Sequence, residues 1–241
     1  MKNNLIEAHW PAPASIRAIT TTLANGYSEG AYQSNNLSLH VEDNIDHVLA
    51  NREQLKTILA FPGKPAWLHQ THRTTVVTIE EDDNRQVDAS ITRLKTTPLV
   101  ILTADCLPIV LCDNAGSEIA AIHAGWRGLY HGIIQNTLQK MHSPLNTLMA
   151  WIGPAICKNC YETSLEVKMQ FIEKYPYLVD TFSHRHANLA GMAEKILRAH
   201  SVAHVYPSNI CTFEEKKRCY SYRRTPQTGR MGTFIWFRDT P

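Results

Sequence analysis

Two apolar runs, LPIVLC at 107–112 and SEIAAIH at 117–123, flank the turn residues Asp113-Asn114-Ala115-Gly116. Apolar run, turn, apolar run is the pattern of an antiparallel hairpin. With the turn centred between Asn114 and Ala115, Cys106 and His123 fall opposite each other on one face. Cross-strand partners hold their Cβ atoms about 4.5–5.5 Å apart, so a thiolate and an imidazole there can share one metal ion or one proton. An active site is the leading reading of that pair, and the rest of the chain has to supply its other parts.

The 241 residues fit one globular domain spanning 1–241, with 44% hydrophobic residues for a core and 19% charged residues for a surface. A net charge of +2 calls for no nucleic acid or other polyanion as partner. Basic residues do gather late in the chain (Lys216, Lys217, Arg218, Arg223, Arg224, Arg230), as a solvated face or as an attraction for a small anion. The N-terminal MKNNLIEAHWPAP lacks the apolar core of a signal peptide. The most apolar stretch, 98–112, carries Asp105 and Pro108 and falls short of the roughly 20 residues of a membrane span. A cytoplasmic protein with no membrane partner is expected, and its six cysteines are then free or metal-bound and not disulfide-paired. Cys157 and Cys160 form a lone C-x-x-C, compatible with a redox pair or half a zinc site; without a second such pair it is read as packing chemistry.

Strand patterns fall at 16–22, 74–80, 99–103, 107–112, 117–123, 148–152, 202–206 and 232–237, and helical periodicity at 45–60, 129–142, 164–175 and 188–200. This irregular alternation implies mixed α/β layers and not a doubly wound parallel sheet. In the first helix an apolar stripe of Ile45, Val48, Leu49, Leu55 and Leu59 includes Arg52. A guanidinium on such a stripe must be paired or open into a polar cavity, because an unpaired buried charge is costly. It is either a structural strut or an anion clamp at the floor of a pocket.

His69-Gln70-Thr71-His72 precedes a strand pattern, and on extended backbone its two histidines point to opposite faces. One of them can join Cys106 and His123. Two histidines and one cysteine with a fourth position open is the form of catalytic zinc, which lowers the pKa of a bound water to about 7. The same Cys/His pair also suits nucleophilic catalysis, with the imidazole activating the thiol. Gly125 and Gly128 after His123 allow close backbone approach to a ligand, with Arg127 between them.

The ordered set NLSLHVEDN, NREQL, HQTH, TADCLPIVL, AAIHAGWRGL, IGPAICKNCYE and SYRRTPQTGRM, covering about 36–231, resembles the laccase-domain family, also called YfiH-like or multicopper polyphenol oxidoreductase. The resemblance implies an α/β/β/α layered sandwich with mixed sheets. It implies metal ligands at His72, Cys106 and His123, and substrate contacts from Asn36, Arg52 and Gln70. The implied activity is zinc-dependent phosphorolysis of purine nucleosides (adenosine, inosine, methylthioadenosine) with adenosine deamination, on small-molecule substrates and phosphate. The other activities it brings are a Cys-His hydrolase editing peptidoglycan precursors, and a polyphenol oxidase with copper at the same donors. A true multicopper cluster fits poorly, because His184-Arg185-His186 is the only H-x-H present. Zinc deaminases carry an H-x-E motif at a metal-binding histidine; neither His72 nor His123 is followed by x-E here, which leaves Asp105 as a candidate acid.

Overall fold

Residues 5–238 are described in this computed structural model. The first half holds β1 (Leu5–Glu7), β2 (Ile16–Thr21), α1 (Ile45–Leu59), β3 (Val76–Thr78), β4 (Ala89–Thr92), β5 (Leu99–Thr103), β6 (Leu107–Asp113) and β7 (Ile119–Ala124). There follow α2 (Trp126–His131), α3 (Ile133–Lys140), β8 (Leu148–Ile152), α4 (Leu165–Lys174), β9 (Phe182–Ser183), β10 (His186–Ala187), α5 (Leu189–Ala199), β11 (His204–Pro207) and β12 (Met231–Phe237).

The hairpin β6/β7 is buried along its whole length, which places it at the centre of a six-stranded mixed sheet of order β11-β8-β6-β7-β4-β3. Its alternation divides two cores. Leu107, Ile109, Leu111, Ala120 and Ile122 pack under α2, α3 and α5 through Leu129, Ile133, Ile134 and Ile196. Val110, Cys112, Ile119 and Ala121 face the other way, against Ile16, Ala18, Ile101 and Ile235 of an antiparallel four-stranded sheet of order β1-β2-β12-β5. The outer side of that second sheet (Ile19, Val100, Phe234, Trp236) is covered by Leu55 and Leu59 of α1. Helix, sheet, sheet, helix is therefore the layering, as the family resemblance implied. Each buried Leu, Ile or Val contributes about 1.5–3 kcal/mol, so the hairpin, covered on both faces, is firmly anchored.

Three local readings change. The hairpin register pairs Pro108 with His123 and Leu107 with Ala124, so Cys106 is diagonal to His123 and not opposite it. The cause is the loop: the Asp113 carboxylate accepts from the Ser117 N–H and hydroxyl and from the Glu118 N–H, and Gly116 takes φ +64°. This moves the turn centre one residue later and the register by two, which keeps both side chains on the inter-sheet face. The helix read at 129–142 is two helices, broken where Gly132 adopts φ +96° and donates its N–H to Gly128 and Leu129 carbonyls. On α1, Ile45 and Leu49 are exposed, and the buried face is Val48, Asn51, Leu55 and Leu59. Asn51 belongs there because its amide donates to Ser28, Ser34 and Asn36 and accepts from Tyr27 N–H.

Candidate active site and metal centre

His123 is the penultimate residue of β7, on the inter-sheet face, and Cys106 sits in the bend between β5 and β6, where Asp105 takes φ +98°. His72 arrives from the loop before β3, itself at φ +60°. The donor atoms of His72, Cys106 and His123 all lie within 4.8 Å of one another, with the two imidazoles edge-on, centroids 4.7 Å apart. Gly125 closes the back of the group: a Cβ there would stand 3.0 Å from Cys106 Sγ and 3.5 Å from the His72 ring.

One buried carboxylate organises the trio. Asp88 Oδ1 is 2.8 Å from His123 Nδ1 and 2.9 Å from the His72 backbone nitrogen, while Oδ2 accepts from Thr71 N–H, Thr71 hydroxyl and Arg73 N–H. Those donors hold His72 in its left-handed conformation. With Nδ1 turned to Asp88, His123 presents Nε2 to the cavity, the arrangement in which a carboxylate orients a metal-ligating histidine. Burial opposes ionisation of Asp88, but its bonds to His123 and to the loop N–H groups hold its carboxyl below the ordinary value.

Charge follows from the same contacts. Burial by itself would raise the Cys106 thiol, yet hydrogen bonds from His123 and His72 bring it down to about 6. Burial would lower the His123 imidazole, and its bonds to Asp88 and Cys106 raise it to about 9. Two imidazoles and a thiolate with an open side suit zinc or copper in donor type, so the residues present fit a metal ion with three protein ligands.

The trio lies in a cavity of about 500 Å³. Leu68, Leu102, Ile156 and Trp126 give it apolar wall, Tyr161 and Tyr222 give phenols, and Arg127, Arg223 and Arg230 give cations. Burial, with the charge of Cys106 next, pushes the Tyr161 phenol up to about 12, so it is a proton-bearing donor at neutral pH.

The remaining expected contacts separate into two groups. Gln70 lines the cavity, but its amide is stitched to Leu102 of β5, Nε2 donating to the carbonyl at 2.7 Å and Oε1 accepting from N–H at 2.7 Å. Asn36 is fully buried behind the wall, bonded to Ser38, Asp43 and the Arg230 N–H. Arg52 is also behind it: Nε and Nη2 both donate to Leu37 O, and the guanidinium stacks 3.6 Å over Trp67. Of the two readings left open for Arg52, this geometry is the strut. Asp105 accepts from Thr212 hydroxyl, Ser221 hydroxyl and Arg223 N–H, so its carboxylate anchors the bend that carries Cys106 and is not a free acid. His184-Arg185-His186 turns between β9 and β10 and joins neither metal-capable group among the described residues.

Sequence reasoning missed Asp88 and Tyr161 as site residues, and named Arg223 and Arg230 only as part of a basic cluster that was either a solvated face or an attraction for a small anion. The late basic cluster was the signal for the arginines, yet it mixes roles: Arg224 is spent on carbonyls of Thr212, Phe213 and Cys219. Asp88 had only one signal, an acidic residue directly before the buried strand β4.

An α/β/β/α sandwich with a His-Cys-His donor group at the mouth between its sheets defines the class. The chain belongs to the laccase-like, YfiH-type family, and residues 17–238 match the family described as multi-copper polyphenol oxidoreductase laccase. It is 36% identical to a protein of Pseudomonas aeruginosa named purine nucleoside phosphorylase, over 98% of this chain and 100% of that protein. It is 35% identical to Escherichia coli YfiH, also named purine nucleoside phosphorylase, over 97% of this chain and 99% of that one. The crystal structure of Neisseria meningitidis NMB0706 superposes with a TM-score of 0.93 at 39% identity, covering 98% of this chain and all of that one. No helix among the described residues is long and apolar enough to cross a membrane.

Proposed function

We propose that this protein is a zinc-dependent purine nucleoside phosphorylase whose metal is held by His72, Cys106 and His123. The observation that carries the reading is one cavity combining that donor group with three guanidinium groups, in a chain about one-third identical throughout to proteins named for this activity.

The cavity's volume suits a nucleoside, and cavities of this kind bind through apolar wall with a few placed polar groups. Trp126, Ile156 and Tyr222 offer surface for the purine. Arg223 and Arg230 are the anion contacts. Each has donors beyond those it uses on Glu162 O (Arg223) and on Thr228 and Gly229 O (Arg230), and planar forks match phosphate oxygens. A phosphate oxygen attacks ribose C1′, the C1′–N9 bond breaks with its electron pair leaving on the purine, and a proton is delivered to the base; Tyr161 is the neutral donor facing the cavity. A zinc ion in the site supplies Lewis-acid polarisation of a substrate oxygen or activation of a water. Deamination of adenosine, in which water adds at C6 and ammonia departs, and cleavage of methylthioadenosine use the same cavity in this reading. Asn36 and Arg52 act from behind the wall and Gln70 from within it, holding the segments that carry Ser38, Leu102 and Arg230.

The test is phosphate dependence. Adenosine should yield adenine and ribose 1-phosphate only when phosphate is present, and Arg230→Gln should raise the KM for phosphate with little change for adenosine. Free ribose as the sole sugar product would contradict phosphorolysis.

One observation favours a second reading, a Cys-His hydrolase acting on cell-wall precursors. Without metal, the Cys106 thiolate, the His123 imidazolium and the Asp88 carboxylate form a connected nucleophile, proton donor and orienting group. Alkylation of Cys106 that saturating zinc leaves unaffected, with covalent trapping by a substrate mimic, favours it; protection by zinc favours the metal reading.

A further inference from the structure

Cys157 and Cys160 are not an isolated pair. Cys211 and Glu214 join them from a loop far along the chain, and the three sulfurs and the carboxylate lie within 4.8 Å of one another. The spacing is C-x-x-C followed by C-x-x-E, two tight turns facing each other. In the first, a 3-10 turn at 158–160 folds back so that the Cys160 and Tyr161 N–H groups donate to Cys157 O. In the second, the Glu215 N–H donates to Cys211 O. The turns are joined by a bridge between Ala155 and Cys211, the Cys157 N–H donates to Cys211 Sγ at 3.3 Å, and Cys160 Sγ stands 3.7 Å from Glu214 Oε1.

We infer that Cys157, Cys160, Cys211 and Glu214 form a second metal site that takes a structural zinc ion, separate from the cavity trio. Three soft thiolates and one carboxylate complete a closed tetrahedral set, the form of structural and not catalytic zinc. A Zn–S bond of about 2.3 Å sets sulfurs about 3.8 Å apart in a tetrahedron, which small side-chain rotations reach from the observed spacing. The backbone N–H directed at Cys211 sulfur stabilises a thiolate there. A disulfide would use two of the sulfurs and give the third, and the carboxylate beside Cys160, no function. Packing, the sequence reading of this C-x-x-C, leaves the convergence of four donors from two loops without a cause.

The position gives the ion a task. Ile156 and Tyr161, on the first loop, are wall of the cavity, and Thr212, on the second, donates its hydroxyl at 2.6 Å to Asp105 beside Cys106. An ion joining these loops braces the wall and the Cys106 bend from outside.

The test is zinc content per chain in full-length protein purified anaerobically. Wild type is expected to hold two zinc ions, and the variants Cys160→Ser and Cys106→Ala one each. Cobalt-loaded Cys106→Ala should keep intense thiolate-to-metal bands, because three sulfurs remain, and should unfold at a higher temperature than the same variant stripped by chelator. That comparison decides the matter even if Cys160→Ser does not fold. A single zinc in wild type that vanishes in Cys106→Ala would overturn the inference, as would intact mass showing these cysteines joined as a disulfide.

Discussion

Asp88 Oδ1 lies 2.8 Å from Nδ1 of His123, and the same carboxylate receives the backbone N–H groups of Thr71, His72 and Arg73. One side chain thus fixes the ring of one proposed ligand and the backbone of another. Asp88→Asn keeps the shape but turns a donor toward N–H groups that need an acceptor. Zinc affinity at the cavity site is expected to fall by about 10–100-fold, the usual effect of losing a partner behind a metal-bound histidine. A chelator-competition titration reads it, and an unchanged affinity would remove Asp88 from this role.

Gly125 is needed for space and not for conformation, since its φ is −74°. A methyl group there would meet Cys106 Sγ at 3.0 Å. Gly125→Ala should therefore displace the sulfur, weakening zinc binding and turnover together while lowering the unfolding midpoint only slightly. Metal content and thermal unfolding of the one variant check both halves.

Two arginines near the cavity should separate by what their loss costs. Arg52, doubly bonded to Leu37 O and stacked on Trp67, is expected to cost about 2–3 kcal/mol of stability as Arg52→Ala, because it leaves a buried carbonyl unpaired and strips ring contact. Arg230→Gln should change stability less and phosphate KM more. Urea unfolding and steady-state kinetics on the pair test the division, and the reverse pattern would return Arg52 to the anion-clamp reading.

Acid sensitivity has a specific source in the central hairpin. Burial opposes ionisation of Asp113, but bonds from Glu118 N–H, Ser117 hydroxyl and Ser117 N–H outweigh it and hold its carboxyl below the ordinary carboxylate value. A depressed folded-state pKa contributes stability that is present above the unfolded value and lost as pH falls through the folded one. Asp113→Asn should thus lose about 1–2 kcal/mol at pH 7, a deficit that shrinks as pH drops below about 4. Unfolding curves across that range show it, and a deficit independent of pH would contradict it.

Strands β5 and β8 and the β6/β7 hairpin were legible because each is a short apolar run bounded by turn residues. Cys106 and His123 were legible for the same reason. The diagonal placement was not, because the Asp113 carboxylate builds its loop from bonds four and five residues ahead, and the turn residues alone do not reveal where such a loop closes. The buried face of α1 was misread because Asn51, a polar residue, is core: its partners Tyr27, Ser28, Ser34 and Asn36 come from a loop without periodicity. Asp88 and the Cys211–Glu214 turn were invisible on similar grounds. Their partners are brought together by tertiary folding, and local spacing records neither.

The central claim is nucleoside phosphorolysis at the His72, Cys106 and His123 site. The most direct measurement incubates zinc-loaded, copper-free protein with adenosine and phosphate, separates the products by chromatography, and repeats this with Cys106→Ala. Adenine with equimolar ribose 1-phosphate from wild type, lost along with the cavity zinc in the variant, is the expected result. Undiminished turnover by Cys106→Ala, or none by the zinc-loaded wild type, would contradict it.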